Sequence, residues 1–406
     1  MISINKTLLI AAIGLLPFSY LKLFGNFSIS DLFFSLSFFC FICYTINKRT
    51  SVKEIVVNND FIIPLFIFSV GFFLSAHNAF DVVDSILAYL QIIFIFIVIY
   101  YSMIFHDHTD GFLRRILFFL TFMSISITTF LLLFFLTGVD YSYGFLSLEK
   151  GWGMTRFSYG DMEPNITARI MAQSIPIALL LYIHKKNFLH KIISILSILL
   201  LLSIIILTAS RTGLVVVLIG VFFYILFYYR YKSSYNIFSV VIYSLILICL
   251  FTFVYQSSPL FFENALERYS TIFDSSYSSS SQERIFILEE SLALINRYPF
   301  IGYGFGNSHN ITGVSVHNSI IISWIENGFF GLIGYTMIYL IILYYIIIGY
   351  SNRFFNSSTL MILAVISIMM ITGDMFMANS YKRSLWVPVI MFIIYHRQLY
   401  KLSINR

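Results

Sequence analysis

The chain has 406 residues, of which 59% are hydrophobic and only 11% are charged, and its mean hydropathy is +0.87. Soluble domains carry roughly 25% charged residues, so this composition excludes a soluble globular protein and indicates one that crosses a membrane several times. The formal net charge of +6 is less informative than its distribution along the chain, and we expect no nucleic-acid partner.

Twelve apolar runs are long enough to cross a bilayer, for which a helix needs about 20 mostly apolar residues. They predict an all-α, polytopic integral membrane protein with about 12 transmembrane helices in a single transmembrane domain, residues 1–406. The first run follows Lys6 and has no small-residue cleavage site, so we expect an uncleaved helix rather than a signal peptide. The runs are 7–24, 28–46, 60–76, 85–104, 116–137, 164–183, 192–209, 213–229, 237–255, 328–349, 357–373 and 384–399.

Basic residues are distributed unevenly over the loops between these runs. Cytoplasmic loops are enriched in Lys and Arg. With the N-terminus inside, the inner loops hold 15 of the 25 basic residues and 4 of the 19 acidic residues. Both termini are therefore predicted to be cytoplasmic, which places the two longest loops, 138–163 and 256–316, on the outer side.

The three cysteines do not indicate a site. Cys40 and Cys43 form a C-x-x-C inside the second run with no His or carboxylate nearby, and Cys249 also lies in a run. We expect no redox, zinc or disulfide role for them. No outward Asp cluster has the spacing of a Mg²⁺ site, so we expect neither a metal nor a cofactor.

The smaller outer loop, 138–163, leads into a helix that begins at Pro164, because proline suits the first helical turn. The loop carries Arg156, and Arg169 falls about one turn inside the helix, close to the outer interface. Both arginines are candidate substrate-binding residues.

The basic residues of the large outer loop, 256–316, are all arginines, at Arg268, Arg284 and Arg297. The planar guanidinium fork matches a phosphate group, whereas the Lys ammonium is a point charge. The loop ends at His317, where another helix begins. Arginines and an imidazole at one membrane face predict a site for a phosphorylated, membrane-anchored substrate.

Residues 282–297 of the large loop have helical periodicity. Ile285, Leu288, Leu292 and Ile295 recur on one face, which predicts an amphipathic helix lying on the membrane surface or packed on the transmembrane bundle. Arg284 is expected in its first turn.

Pro299 is expected to end this helix, and a G-x-G-x-G follows at residues 302–306. Its spacing and the lack of a preceding strand exclude a dinucleotide-binding fingerprint. The three glycines therefore predict a tight turn.

Arg211 lies in the segment Ser210–Gly213, which joins two apolar runs with almost no loop. A charge near the bilayer costs several kcal/mol unless it is paired. The side chain either extends to lipid headgroups or turns inward toward an anionic substrate. Arg284 and Arg297 could likewise form salt bridges with glutamates of their own helix.

His317 has two interpretations. It could start a helix and bond a loop carbonyl, or it could act as a base, since a neutral imidazole with a pKa of about 6.5 accepts a proton from a hydroxyl nucleophile. Arginines can stabilise a departing pyrophosphate. The adjacent Asn318 is a further candidate for substrate binding.

Four short elements occur in order between about residues 160 and 335: Pro164-Asn165-x-x-Ala168; TASRTG at 208–213; Arg284 followed by Pro299 and the G-x-G-x-G; and His317-Asn318 followed by Glu326-x-Gly328. Together they resemble the superfamily of O-antigen polymerases and O-antigen ligases, which are bacterial envelope glycosyltransferases.

The resemblance implies a GT-C-type enzyme of the bacterial inner membrane with its active site facing the periplasm. Its donor and acceptor would be undecaprenyl-pyrophosphate-linked oligosaccharides, and a chain-length regulator is a possible protein partner besides membrane lipid. Carried over to this chain, Arg211 and Arg284 bind the pyrophosphate and His317 is the candidate base. Arg156, Arg169, Arg268 and Asn318 are not secured by the motifs and stay candidates on chemical grounds.

The loop and the Pro-Asn-x-x-Ala element look more like the polymerase branch, which passes a growing glycan to the next lipid-linked repeat. A capsule or exopolysaccharide polymerase would share these features. The alternatives are a ligase that transfers finished polymer to lipid A core, a lipid-linked oligosaccharide transporter, and a non-catalytic assembly partner. Transporters often show internal repeats, and none is evident in this sequence.

Overall fold

The computed structural model describes residues 2–18, 22–24, 27–48, 59–104, 109–137, 146–151, 154–159, 163–184, 188–231, 279–313, 316–377 and 382–404. These residues are almost entirely helical. The helices are α1 (Ile2–Gly14), α2 (Ile29–Lys48), α3 (Ile62–Ser75), α4 (Val82–Ile93), α5 (Tyr100–Ile104), α6 (Asp110–Thr137), α7 (Pro164–His184), α8 (Phe188–Leu207), α9 (Arg211–Tyr231), α10 (Ser279–Arg297), α11 (Ser308–Thr312), α12 (Ser319–Ser351), α13 (Ser358–Phe376) and α14 (Arg383–Ile404).

Short elements of other types connect the helices. A π-helical segment, Phe94–Ile99, makes α4 and α5 continuous. Turns of 3-10 helix lie at Leu16–Phe18, Ala76–Asn78 and Phe354–Asn356. Two antiparallel hairpins are formed by β1 (Lys22–Phe24) with β2 (Phe27–Ser28) and by β3 (Leu146–Gly151) with β4 (Met154–Tyr159).

Seven helices of the described part are long and apolar enough to cross a membrane, which confirms the all-α, polytopic fold. The predicted run 164–183 is helix α7, and 384–399 lies within α14. The run 7–24 is not one helix, because α1 ends at Gly14 and Pro17, which lacks an N–H, lies in the 3-10 turn that follows. The predicted span 237–255 lies outside the described residues.

The helices divide into two compact units. The first unit comprises residues 1–109, 278–352 and 370–406, and the second comprises residues 110–277 and 353–369. The single transmembrane domain over residues 1–406 stays a prediction.

In the first unit, α3 packs against α12 through a seam of glycines. A Cβ on Gly71 would lie 2.8 Å from the Gly331 nitrogen, and a Cβ on Gly334 would lie 2.8 Å from the Pro64 oxygen. Small residues let two membrane helices approach until their backbones touch, which supplies the packing that holds such helices together. Any larger side chain at these glycines would separate α3 from α12.

The other end of α12 is held by an ion pair. The Asp60 Oδ2 atom accepts hydrogen bonds at 3.0 Å from the Arg397 guanidinium and at 3.0 Å from the Tyr345 hydroxyl. This one carboxylate therefore ties α12 and α14 to the turn that precedes α3.

In the second unit, α7 is the central helix, and it packs against α6, α8 and α9. All of its residues from Ile166 to Ala178 are buried. The Ser194 hydroxyl of α8 donates a hydrogen bond to the Ala178 carbonyl. Because α7 is buried on all sides, its first turn is held at a fixed position.

Candidate functional site

The first turns of α7 and α9 meet in the second unit. The Ser210 hydroxyl donates a hydrogen bond of 2.7 Å to the Asn165 Oδ1 atom of α7. The same hydroxyl accepts a bond of 3.0 Å from the Gly213 N–H, so Ser210 also caps α9. A Cβ on Gly213 would lie 2.5 Å from the Ala168 Cβ. The glycine thus allows the two helix N-termini to touch.

The turn that leads into α9 is strained. Ala209 has a positive φ of 47°, a conformation that costs roughly 1–2 kcal/mol for an L-residue. The chain passes from the last residue of α8, Leu207, to the cap of α9, Ser210, in only three steps. Strain of this kind persists where the surroundings fix it, and it occurs frequently at functional sites.

This contact gathers two of the arginines that the sequence singled out. Arg169 follows Ala168 directly and is only 1% exposed, whereas Arg211 is the first residue of α9 and partly exposed. Helix N-termini carry a partial positive charge and expose N–H groups, so they favour anions. Two helix N-termini meet here, and Arg169 and Arg211 each adjoin in sequence a residue of the contact, a combination of charges that suits a phosphate or pyrophosphate.

In the first unit, the glycine turn packs against a break in α12. Gly328 has φ 60° and ψ −156°, a backbone region that is essentially restricted to glycine. The break frees the carbonyls of Ile325 and Glu326 from helical bonding. They accept hydrogen bonds of 2.9 Å each from the N–H groups of Tyr303 and Gly304. The predicted tight turn is confirmed, and its partner is the kinked helix.

The side chain of Glu326 reinforces this junction. Its carboxylate is 1% exposed, and its Oε1 atom accepts a bond of 3.1 Å from the Ser308 N–H at the start of α11. The neighbouring Asn307 accepts a bond of 2.9 Å from the Asp81 N–H and donates one of 2.6 Å to the Ser85 hydroxyl. The loop is therefore attached to α4 on one side and to α12 on the other.

Asn318 is the N-cap of α12. Its Oδ1 atom accepts bonds from the N–H groups of Ile320 (2.9 Å) and Ile321 (3.2 Å). Its amide donates a bond of 3.2 Å to the Met375 carbonyl of α13. These contacts fix the backbone next to His317, whose side chain is partly exposed. Substrate binding by Asn318 remains a hypothesis, since its side chain already serves as a cap.

Asp374 is a residue that the sequence reasoning missed. It is 1% exposed and accepts hydrogen bonds from the hydroxyls of Tyr335 (3.0 Å) and Tyr339 (2.7 Å). It also precedes Met375, which bonds Asn318. A carboxylate beside an apolar run is a signal of function in membrane proteins, and that signal could have identified it.

Helix α10 differs from the prediction in its start and in its packed face. It begins at Ser279, so Arg284 is its sixth residue and not in the first turn. Its buried face carries Ile287, Ser291 and Ile295.

Three of the four residues predicted for the apolar face, Ile285, Leu288 and Leu292, are exposed. The fourth, Ile295, packs in a cluster with Val316 and Ile325. The helix therefore packs on the bundle as predicted, but through a different face from the predicted one.

Past the end of α10, the Tyr303 phenol lies beside the exposed Arg297. Burial raises the pKa of Tyr303 above its ordinary value, and the Arg297 charge opposes that rise. The phenol therefore stays neutral at physiological pH and can serve as a hydrogen-bond donor.

The remaining candidates are only partly placed. Arg156 lies in β4, opposite Glu149 in the register of the hairpin, and Arg268 lies outside the described residues. Arg169 and Arg211 belong to the second unit, and His317, Asn318 and Arg284 belong to the first. Among the residues that it describes, no three His, Cys, Asp or Glu side chains are grouped as metal ligands.

Comparison with known proteins gives one family. Residues 196–336 match the family described as O-antigen ligase. The matched segment runs from α8 to the middle of α12 and includes the α9 N-cap, the glycine turn and the kink. No curated protein matches the chain.

Proposed function

We propose that this chain is an O-antigen polymerase, because its residues 196–336 match the family described as O-antigen ligase and so support the O-antigen polymerase and ligase superfamily. The protein is a multi-pass membrane enzyme of the polymerase or ligase type. The proposed reaction transfers a growing glycan from undecaprenyl pyrophosphate to the next lipid-linked repeat unit.

The observation that carries the proposal is the junction of α7 and α9. The Asn165–Ser210 bond and the Ala168–Gly213 contact set two helix N-termini beside Arg211. The partial positive charges of two helix N-termini favour an anion, which supports the proposal that a diphosphate, the leaving group of the proposed reaction, binds here. It supports an enzyme acting on a lipid-linked pyrophosphate over a partner without catalytic groups.

The transfer is a displacement at the anomeric carbon of the donor glycan. A hydroxyl oxygen of the acceptor forms the new bond to that carbon, and the bond from the carbon to the pyrophosphate oxygen breaks. Its electron pair leaves with the pyrophosphate, where Arg211 and Arg284 stabilise the charge. His317 accepts the hydroxyl proton. No metal or cofactor takes part in this scheme.

The polymerase branch is tested by deleting the gene. Loss of a polymerase leaves lipid A core capped with a single repeat unit, whereas loss of a ligase leaves core without O-antigen. The ligase is the second candidate because the matching family is described by that activity. Core without any repeat would replace the polymerase assignment by the ligase.

The role of His317 is tested in the purified protein. Removing a general base costs about 10²–10⁴-fold in rate, so His317→Ala should lose polymer formation while the protein remains inserted and folded. Normal polymer length in this variant would contradict the assignment.

We also propose that the protein lies in the bacterial inner membrane with both termini cytoplasmic and the site facing the periplasm. The asymmetry of Lys and Arg between the two sets of loops supports this orientation. Alkaline phosphatase fused at residue 300 should be active, and the same enzyme fused at the C-terminus should be inactive. The reverse pattern would invert the orientation.

A further inference from the structure

The break at Gly328 makes the start of α12 a separate short element. Residues 319–327, called here the first segment of α12, are helical up to the non-helical Gly328. His317 and the cap Asn318 precede this segment, and Glu326 lies near its far end. A movement of the far end is therefore passed along about eight residues of helix to the imidazole.

The far end is fixed through its backbone. The carbonyls of Ile325 and Glu326 accept bonds from the glycine turn at 2.9 Å. The Trp324 indole N–H adds a bond of 3.0 Å to the Pro299 carbonyl. These contacts hold one side of the first segment but leave open how the loop beyond Gly304 is held.

The Glu326 carboxylate supplies that connection. It is buried and accepts from the Ser308 N–H, the first residue of α11. Burying a carboxylate is costly unless hydrogen bonds compensate for lost water, so an apolar residue would suffice if this position only filled space. The loop segment it holds, 308–313, is the one that leads back toward His317.

The opposite side of the loop is equally fixed. Asn307 is fully buried and bonds the start of α4 through Asp81 and Ser85. Asn78 donates a bond of 3.1 Å to the Gly302 carbonyl. These bonds hold the loop in a fixed position against the start of α4, and Glu326 connects the first segment of α12 to this loop.

We propose that Glu326 is a positioning residue that holds His317 in place through the first segment of α12 and the glycine turn. The role of His317 rests on the proposed function, whereas the mechanical connection does not. Glu326 touches no substrate in this proposal. It acts by limiting the displacement of the helix end that carries the imidazole.

The rate test is a double-mutant cycle between Glu326 and His317. A misplacement of about 1 Å can cost about 10²-fold in rate, so Glu326→Leu should lower kcat by roughly that factor with little change in KM. In a His317→Ala background the same substitution should change the residual rate less than about twofold, because residues that act together are not additive.

Glu326→Gln keeps one acceptor oxygen for the Ser308 N–H and should recover most of the kcat that Glu326→Leu loses. An equal loss from Glu326→Leu in both backgrounds would show a general folding defect and overturn the proposal. The same applies if the Gln variant is as slow as the Leu variant.

Hydrogen exchange of the purified protein provides a readout that needs no activity. Glu326→Leu should raise amide exchange over residues 303–313, Glu326→Gln should raise it less, and Ser323→Ala in the same segment should leave it unchanged. Unchanged exchange in Glu326→Leu would overturn the connection. If the wild type forms no polymer, the proposed function fails, and exchange still decides whether Glu326 holds the loop.

Discussion

Replacing Gly328 by alanine places a methyl group against backbone atoms that have no room to move. The new Cβ would lie 2.2 Å from the Phe300 oxygen and 2.4 Å from its carbonyl carbon. The backbone itself has φ 60° and ψ −156°, a region that costs non-glycine residues about 1–3 kcal/mol. Both effects act at the same position, so the loop and α12 must move apart.

The loss of stability in Gly328→Ala can be estimated from the hydrogen bonds that hold the kink. Separation breaks the bonds that Ile325 and Glu326 accept from the glycine turn, each worth about 0.5–1.5 kcal/mol. Together with the backbone strain, the free energy of unfolding should fall by roughly 2–6 kcal/mol. That is a large part of the typical 5–15 kcal/mol.

Gly313 supplies the matched control. Its φ is also positive, at 68°, but a Cβ there would have nothing within 4 Å. Gly313→Ala should therefore show the strain alone, about 1–2 kcal/mol. In thermal unfolding of the detergent-solubilised protein, Gly328→Ala should lower Tm by several degrees more than Gly313→Ala, at about 2–4 °C per kcal/mol. Equal shifts would refute the steric argument.

Three further substitutions test the site. Gly213→Val should overpack the contact with Ala168 and cost about 1–3 kcal/mol, measured as a lower Tm; an unchanged Tm would contradict the close approach of α7 and α9. Asp374→Leu removes the carboxylate to which the Tyr335 and Tyr339 hydroxyls donate, so Tm should fall because a lost buried hydrogen bond costs about 1–3 kcal/mol, and adding Phe at both tyrosines should restore part of the Tm. Arg211→Lys keeps the charge but loses the fork, so polymer formation should fall at least about tenfold while Tm is unchanged; full activity would count against bidentate recognition.

The membrane helices were predictable because each apolar run is long, so that many residues indicate the same helix. Pro164 begins α7 as expected, since its missing N–H needs no partner in the first turn. The prediction of one helix over residues 7–24 is wrong because hydropathy alone does not show the break at Gly14 and Pro17. Hydropathy likewise could not show that Gly328 leaves the helical region, because glycine is common inside membrane helices.

The rotated face of α10 has a specific cause. Four apolar residues, 285–288, follow one another, so several helical faces fit the pattern nearly equally well. The face that packs is centred on Ser291, which is fully buried but is not counted as apolar. Small size, and not hydrophobicity, decides the packing at this position, and the periodicity argument considers only the latter.

The candidate site was predictable in its residue types but not in its supports. Arg211 and His317 are candidates from chemistry and resemblance, and in the structure Arg169 and Arg211 each follow, in sequence, a residue of the contact between α7 and α9. Asp374 and the role of Glu326 depend on contacts between segments far apart in sequence. A single sequence carries no signal of such pairings.

The close contact between α3 and α12 also sets an order for the assembly of the protein during synthesis. Ser75 of α3 bonds Asn327 of α12 across 252 residues of sequence. At roughly 5–20 residues per second, α12 leaves the ribosome about 13–50 s after α3. With 14 residues at about 1.5 Å each, α3 is shorter than a bilayer of about 30 Å. The membrane must therefore accommodate a short helix whose Gly71 and Ser75 still lack their α12 neighbours until α12 is inserted.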